Sequence, residues 1–257
     1  MKEKKYFPDF ANSTPMGHYI TNREEEIINL YLGNNHDNKI YLDVGGGSGR
    51  FSVPFFKNGA DIICLDYNLT PLQILQEKES SIPLTRGDGQ KLPFRESVFD
   101  AILIIEAIEY MTDKNLFIKE CHRVLKDEGL LLITILNRNS YKILHPNRRK
   151  RPSFYFTTCR SFEIKLERLG FVIEKSIGFN WIPAKRASNS KLIPYADASG
   201  DIWEVGDAKR ASNSKLIPYF AALERLFRLE YLPYISPWVF IIAKKYKRSD
   251  ALSILQK

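Results

Sequence analysis

The chain has 257 residues, 44% hydrophobic, 12% aromatic and 26% charged, which excludes a disordered polymer and leaves enough apolar side chain for a core. Three scattered cysteines, Cys64, Cys121 and Cys159, exclude a disulfide scaffold and read as reduced thiols of a cytoplasmic protein; no apolar run approaches the ~18 residues of a membrane span, and the charged first ten residues lack the apolar stretch of a signal peptide. The net charge of +8 is uneven: residues 1–140 hold 16 Lys+Arg against 20 Asp+Glu, and residues 141–257 hold 22 against 10, an excess of +12 that fits either an anionic partner or a solvated basic surface.

The first 140 residues alternate helix and strand signals. Thr21 and Glu24 have the spacing of a capping box, which predicts a helix through Ile27, Ile28 and Leu32 that stops at Gly33. Ile40 to Val44 is a short apolar strand that runs into Gly45-Gly46-Gly47-Ser48-Gly49, with a helix following through Phe51, Val53 and Phe55. A second strand spans Asp61 to Leu65 and ends at Asp66; Thr70-Pro71 opens the next helix. Ile82 to Thr85 is a weak third strand and Ala101 to Ile105 a strong fourth. Asp113 caps a helix carrying Leu116, Ile118, Cys121 and Val124, which ends near Gly129 and leads to a fifth strand, Leu130 to Ile135. Continuous apolar strands separated by helices point to an α/β fold whose mostly parallel sheet is covered on both faces.

The second half is less regular. Tyr141 to Tyr155 reads as a basic loop around Arg148–Arg151. An amphipathic helix follows over Ser161–Leu169, then a sixth strand over Phe171–Ile177, a helix over Phe220–Leu232 expected to face the core, with docking on a membrane surface or a partner as the alternative, and a seventh strand over Trp238–Tyr246. The twelve residues Ala184–Tyr195 recur unchanged as Ala208–Tyr219, a 24-residue period. Two perfect copies lack the drift and number of a stacked repeat and read as a duplication, one copy of which should loop out, with a functional tandem motif as the alternative. The organisation is a single domain over residues 1–257. It comprises an N-terminal lid helix (1–33), a cofactor-binding core (34–140) and an acceptor-side half (141–257) with the duplicated segment (184–207, repeat copy 208–219).

The glycine loop lies between a strand and a helix, the context of a nucleotide site. Its spacing is G-x-G-x-G, and Arg50 stands where the dinucleotide pattern G-x-G-x-x-G needs glycine, so a pyrophosphate is the poorer fit. Asp66, ending the second strand, can accept two hydrogen bonds from a ribose diol. Asp88, in Gly87-Asp88-Gly89-Gln90 after the third strand, can accept from an adenine amino group, with Tyr67 or Leu92 stacking on the base.

The stretch Tyr41-Leu42-Asp43-Val44-Gly45-Gly46-Gly47-Ser48-Gly49-Arg50-Phe51 resembles motif I of class I S-adenosylmethionine-dependent methyltransferases. Cys64-Leu65-Asp66-Tyr67 is similar to their acidic second motif. Gly87–Phe94 with Ser97-Val98-Phe99-Asp100, and Glu120–Lys126 with Gly129-Leu130, resemble two further stretches of the ubiquinone/menaquinone methylase-like (type 11) subgroup. The resemblance covers about residues 25–136. It implies a Rossmann-like sheet of seven strands in the order 3-2-1-4-5-7-6, with strand 7 antiparallel and an insertion between strands 6 and 7. It implies S-adenosyl-L-methionine as cofactor. Gly45, Gly46, Gly47 and Gly49 would pack on its methionine part, Asp43 would order the loop, and Asp66 would hold the ribose hydroxyls, with Tyr67 next to it among the cofactor-binding residues. Asp88 and Gly89 would sit at the adenine, and Ile105 and Glu106 would line the methyl-transfer site.

In-line alignment is the main task of such a site, so no residue is assigned as a catalytic base. Glu106, Tyr110, His18 and Tyr19 are the candidates near the site; His122 and His145 read as structural or loop histidines. No metal-ligand spacing occurs. The leading acceptor is a small organic molecule, anionic or lipid-like; an RNA methyltransferase and a non-catalytic scaffold of the same fold are the alternatives.

Overall fold

The computed structural model describes residues 15–140, 156–181 and 217–246. The basic loop with His145 and Arg148–Arg151, the first repeat copy and most of the second lie outside the described residues; the last three residues of the second copy, Ile217 to Tyr219, open a helix.

Seven strands form one sheet: β1 (Ile40–Val44), β2 (Asp61–Asp66), β3 (Leu84–Arg86), β4 (Phe99–Ile104), β5 (Leu125–Leu136), β6 (Phe171–Phe179) and β7 (Trp238–Lys245). The order is β3-β2-β1-β4-β5-β7-β6, with β7 antiparallel to both neighbours and the other pairs parallel, as the resemblance implies. Side chains alternate between the two faces. Ile102, Ile104, Ile133 and Ile241 pack against α4 (Lys114–Val124) and α5 (Cys159–Arg168) through Phe117, Cys121 and Phe162. Leu103, Leu132, Phe240 and Ile242 pack against α1 (Pro15–Leu32), α2 (Ser52–Lys57) and α6 (Ile217–Leu226) through Met16, Phe55 and Ile217. A further helix, α3 (Leu69–Lys78), covers Cys64 with Leu72 and Leu75.

Four expectations are corrected. The first helix begins at Pro15, so Thr21 and Glu24 lie inside it and cap nothing; both are buried. His18 and Tyr19, expected ahead of that helix, are within it. Helix α4 ends at Val124, because Leu125 turns extended (ψ 140°) and the Arg123 guanidinium anchors the last turn to the Leu92 and Phe94 carbonyls at 3.0 and 2.8 Å. The next residues already belong to β5, where Glu128 at φ 65° and a register shift opposite Phe99–Ala101 absorb the irregular segment before Gly129. The helix expected over Phe220–Leu232 is split, since α6 ends at Leu226 and Arg228 is left-handed at φ 50°, followed by a 3₁₀ turn over Leu229–Tyr231. The apolar face of that segment points outward rather than into the core: Leu223, Leu226, Phe227, Tyr231 and Leu232 are exposed.

Candidate cofactor and acceptor site

Strands β1, β2, β4, β5 and β6 all end at one edge of the sheet, where Leu136 and Phe179 both flank Trp238. That carboxyl edge is where open α/β sheets bind ligands. The loop after β1 is tied to β2 at once: the Gly45 and Gly46 amides both donate to the Leu65 carbonyl, at 2.7 and 3.3 Å. Gly45 has φ 73°, and a Cβ there would lie 2.7 Å from the Ala107 Cβ, so the loop packs directly on the turn after β4. A Cβ on Gly46 would sit 2.6 Å from the Asp43 carboxylate and 2.7 Å from the Cys64 sulfur.

Asp43 is buried beneath this loop, where Ser52 Oγ donates to its Oδ2 at 2.6 Å. Burial pushes its carboxyl up to about 6, against the opposing effects of Ser52 and Arg50. Asp66 accepts from the Gly47 amide at 3.1 Å on Oδ2 and from the Asn68 amide at 2.8 Å on Oδ1. Burial raises this carboxyl too, and the amide bonds work against the shift. Each carboxylate oxygen can accept twice, so Asp66 keeps capacity for a ligand hydroxyl.

Asp88 follows β3, is exposed, and accepts from the Gln90 amide at 2.9 Å, which caps a 3₁₀ turn over Gly89–Lys91. Gly89 is buried against the Phe117 ring. The segment that follows is clamped by α4: Glu120 accepts from the Leu92 amide at 2.9 Å and pairs with Arg123 at 2.7 Å. Of the two candidate stacking residues, Leu92 is buried in the core while Tyr67 is exposed.

Ile105 is buried after β4, and Glu106 adopts φ 56°, with its amide donating to Thr134 Oγ1 at 2.7 Å. The Glu106 carboxylate caps no helix; it lies 2.9 Å from Arg50. Arg50 also pairs with Glu24 at 3.2 Å, donates toward Thr21 Oγ1 at 3.4 Å and covers the Phe51 ring at 4.4 Å. One guanidinium therefore joins the glycine loop, the first helix and the end of β4. The sequence reading missed this network, although the Thr21/Glu24 spacing carried its signal: residues three apart share one helix face, and here that face meets Arg50.

The four catalytic candidates are not brought together. Tyr19 donates its hydroxyl to Glu224 on α6, and burial, then Glu224, raises its pKa; it faces that helix rather than the glycine loop. His18 is exposed on α1, and Tyr110 is exposed on a 3₁₀ turn over Ile108–Tyr110. The neighbouring Glu109 was not singled out from the sequence. It accepts from the Leu136 amide at 3.1 Å, and burial pushes its carboxyl up to about 7. His122 packs edge-on against Phe171, 5.2 Å between centroids, as a structural histidine. Among the described residues no group of three or more His, Cys, Asp or Glu is placed to hold a metal ion.

Residues 42–133 match the family model of a methyltransferase domain. That stretch of the chain is a methyltransferase domain. The domain is 34% identical over 92 residues to a demethylmenaquinone methyltransferase of Streptomyces griseus, covering 36% of this chain and 40% of that protein. It is 29% identical over 136 residues to an uncharacterised protein of Methanocaldococcus jannaschii, covering 51% of this chain and 63% of that one. The chain thus spans about 40% of the length of the demethylmenaquinone methyltransferase it matches. Among solved structures, an S-adenosylmethionine-dependent methyltransferase from Archaeoglobus fulgidus superposes with a TM-score of 0.56 at 19% identity, covering 89% of this chain and 94% of that one. A [4+2]-cyclase superposes equally well, with a TM-score of 0.56 at 15% identity over 90% of this chain and 82% of that one. These two likenesses concern the fold alone, and the cyclase shows that the fold hosts more than one chemistry.

Proposed function

We propose that the protein transfers a methyl group from S-adenosyl-L-methionine to a small organic acceptor at the carboxyl edge of its sheet. The observation that carries this reading is the sequence of groups along that edge: the glycine loop after β1, Asp66 at the end of β2 and Asp88 after β3, on three adjacent strands. An elongated ligand with a methionine part, a ribose and an adenine needs contacts in that order. The residues fit it: Gly45 and Gly46 leave the loop without Cβ atoms, Asp66 retains acceptor capacity toward the ribose diol, and the exposed Asp88 is free of the core to accept from an amino group.

When bound, the cofactor supplies an electrophilic methyl group on a sulfonium. The chain's own part is positioning, which can supply about 7–11 kcal/mol of barrier reduction when donor and acceptor are held in line. Asp43 props the loop from below through Ser52 and the close approach of Gly46. Arg50, Glu24 and Glu106 hold the first helix against the loop and the end of β4, which walls one side of the methyl-transfer position. The acceptor's own chemistry is read as that of a small molecule, in keeping with the methylase-like subgroup that the motifs resemble.

Calorimetric titration with S-adenosylmethionine and S-adenosylhomocysteine, with NAD as control, tests the reading. Micromolar binding of the first two and none of NAD is the expected result. Binding of NAD alone, or of none of the three, would overturn it.

A further inference from the structure

Exposed apolar side chains are concentrated in one segment. Of the fourteen large hydrophobic residues exposed among the described ones, eight lie between Tyr219 and Ile235, so the surface they make is a patch and not scatter. Tyr219, Leu223, Leu226 and Phe227 follow helical spacing and form a stripe on the outer side of α6; Leu226 is 72% and Phe227 66% exposed. Tyr231, Leu232, Tyr234 and Ile235 continue the patch through the 3₁₀ turn toward the start of β7, at the carboxyl edge of the sheet. An amphipathic helix ordinarily turns this stripe inward; here the inner side of α6 is attached to α1 by Ile217, Glu224 and Arg225.

Charge on the segment is sorted by side. Its two carboxylates are turned to α1: Glu224 accepts from Tyr19, and Glu230 pairs with Arg23. Of its two guanidiniums, Arg225 reaches Glu26 of α1 at 2.8 Å, while Arg228 is exposed past the end of α6 beside the Tyr231 ring, and Lys175 of β6 lies 5.2 Å above that ring. The outward face is thus apolar in the middle, with tyrosines and cations beside it, in the half of the chain that carries 22 basic and 10 acidic residues. A convex helix of this make-up matches a flat anionic surface better than it matches a groove. No helix among the described residues is long and apolar enough to cross a membrane, so the contact is one made from outside.

We propose that the outer face of α6 and the turn over residues 227–235 docks the protein on the surface of an anionic lipid bilayer. Leu223, Leu226 and Phe227 enter the headgroup–acyl boundary, the tyrosines lie at its level, and Arg228 and Lys175 meet the lipid phosphates. The inference stands on surface composition and is independent of cofactor chemistry.

Co-sedimentation of the full chain with phosphatidylcholine vesicles, with and without phosphatidylglycerol, tests it. Binding to the phosphatidylglycerol vesicles, weakened by salt and by omission of the anionic lipid, is expected. The double substitution Leu226→Gln with Phe227→Ser should reduce partitioning on the order of tenfold or more, since each exchange removes a side chain's worth of apolar burial. Its melting temperature should not change, because both side chains face solvent in the protein alone. If that pair lowers the melting temperature, Leu223→Gln with Ile235→Gln replaces it with the same expectation. Failure to bind either vesicle, or undiminished binding by folded variants, overturns the proposal. So does a stable dimer in sedimentation velocity that these substitutions convert to monomer, which would assign the face to a second copy of the chain.

Discussion

Arg50, the residue that closes the glycine loop, holds its guanidinium 3.2 Å from the carboxylate of Glu24, which is wholly buried in the first helix. A buried carboxylate that loses its counter-charge is costly, about 3–5 kcal/mol when one partner of such a pair is removed. Arg50→Met should therefore lower the free energy of unfolding by about 3 kcal/mol or more. Adding Glu24→Gln should restore much of that loss, because the amide carries no charge to compensate. Denaturant unfolding of the two single variants and the double variant measures the coupling. Simple additivity would mean that the pair does not act as one unit.

That network marks the boundary of what the sequence reveals about the site. The positions of the glycine loop, Asp66 and Asp88 along one edge of the sheet were legible because each follows from where a strand ends. The Arg50 contacts were not, because Glu24 and Glu106 lie 26 residues before and 56 residues after it, and the helical spacing of Thr21 and Glu24 is the same for a cap and for a shared buried face. The sheet order came from the resemblance rather than from periodicity. The outward apolar stripe of α6 was misread for a related reason: a helical moment shows that a helix has two faces but not which of them meets the core.

Asp66→Ala should weaken binding of S-adenosylmethionine by about 1–3 kcal/mol, the usual loss for hydrogen bonds to a charged acceptor. Because Asp66 also accepts from the Gly47 and Asn68 amides, part of that loss would come through the loop. Asp66→Asn keeps one acceptor oxygen and should fall between the wild type and the alanine variant. Calorimetry on the three proteins checks the order, and an unchanged dissociation constant in Asp66→Ala would take this carboxylate out of the site.

Asp43 makes stability fall as the pH rises. Its carboxyl ionises near 3.8 in the ordinary case and is pushed up to about 6 here, so between these values the folded state binds more protons than the unfolded one. Folding is therefore favoured most below the lower value, and the contribution is lost as the pH rises through about 6. A shift of this size corresponds to roughly 3 kcal/mol. Asp43→Asn removes the titration while its amide oxygen can still accept from Ser52. The stability of Asp43→Asn relative to wild type should rise by about that amount between pH 4 and pH 7.5 in denaturant unfolding. Parallel pH profiles for the two proteins would show that Asp43 does not titrate in this range.

Asn137, at the end of β5, holds the turn that leads into β7. Its Nδ2 lies within reach of three backbone carbonyls, those of Pro233, Tyr234 and Ser236, at 3.1, 3.0 and 2.9 Å, while its Oδ1 accepts from the Asn139 amide at 3.1 Å. The side chain is fully buried, so Asn137→Ala leaves these groups without a partner and should cost at least about 2 kcal/mol. Asn137→Asp has nearly the same shape but, when ionised, presents a carboxylate to three carbonyl oxygens. It should be less stable than Asn137→Ala at neutral pH, and the gap should close on acidification as the carboxyl gains a proton and can donate to one of them. Denaturant unfolding of both variants across pH measures this crossing. An Asn137→Asp variant as stable as wild type at neutral pH would mean that the amide does not carry the turn.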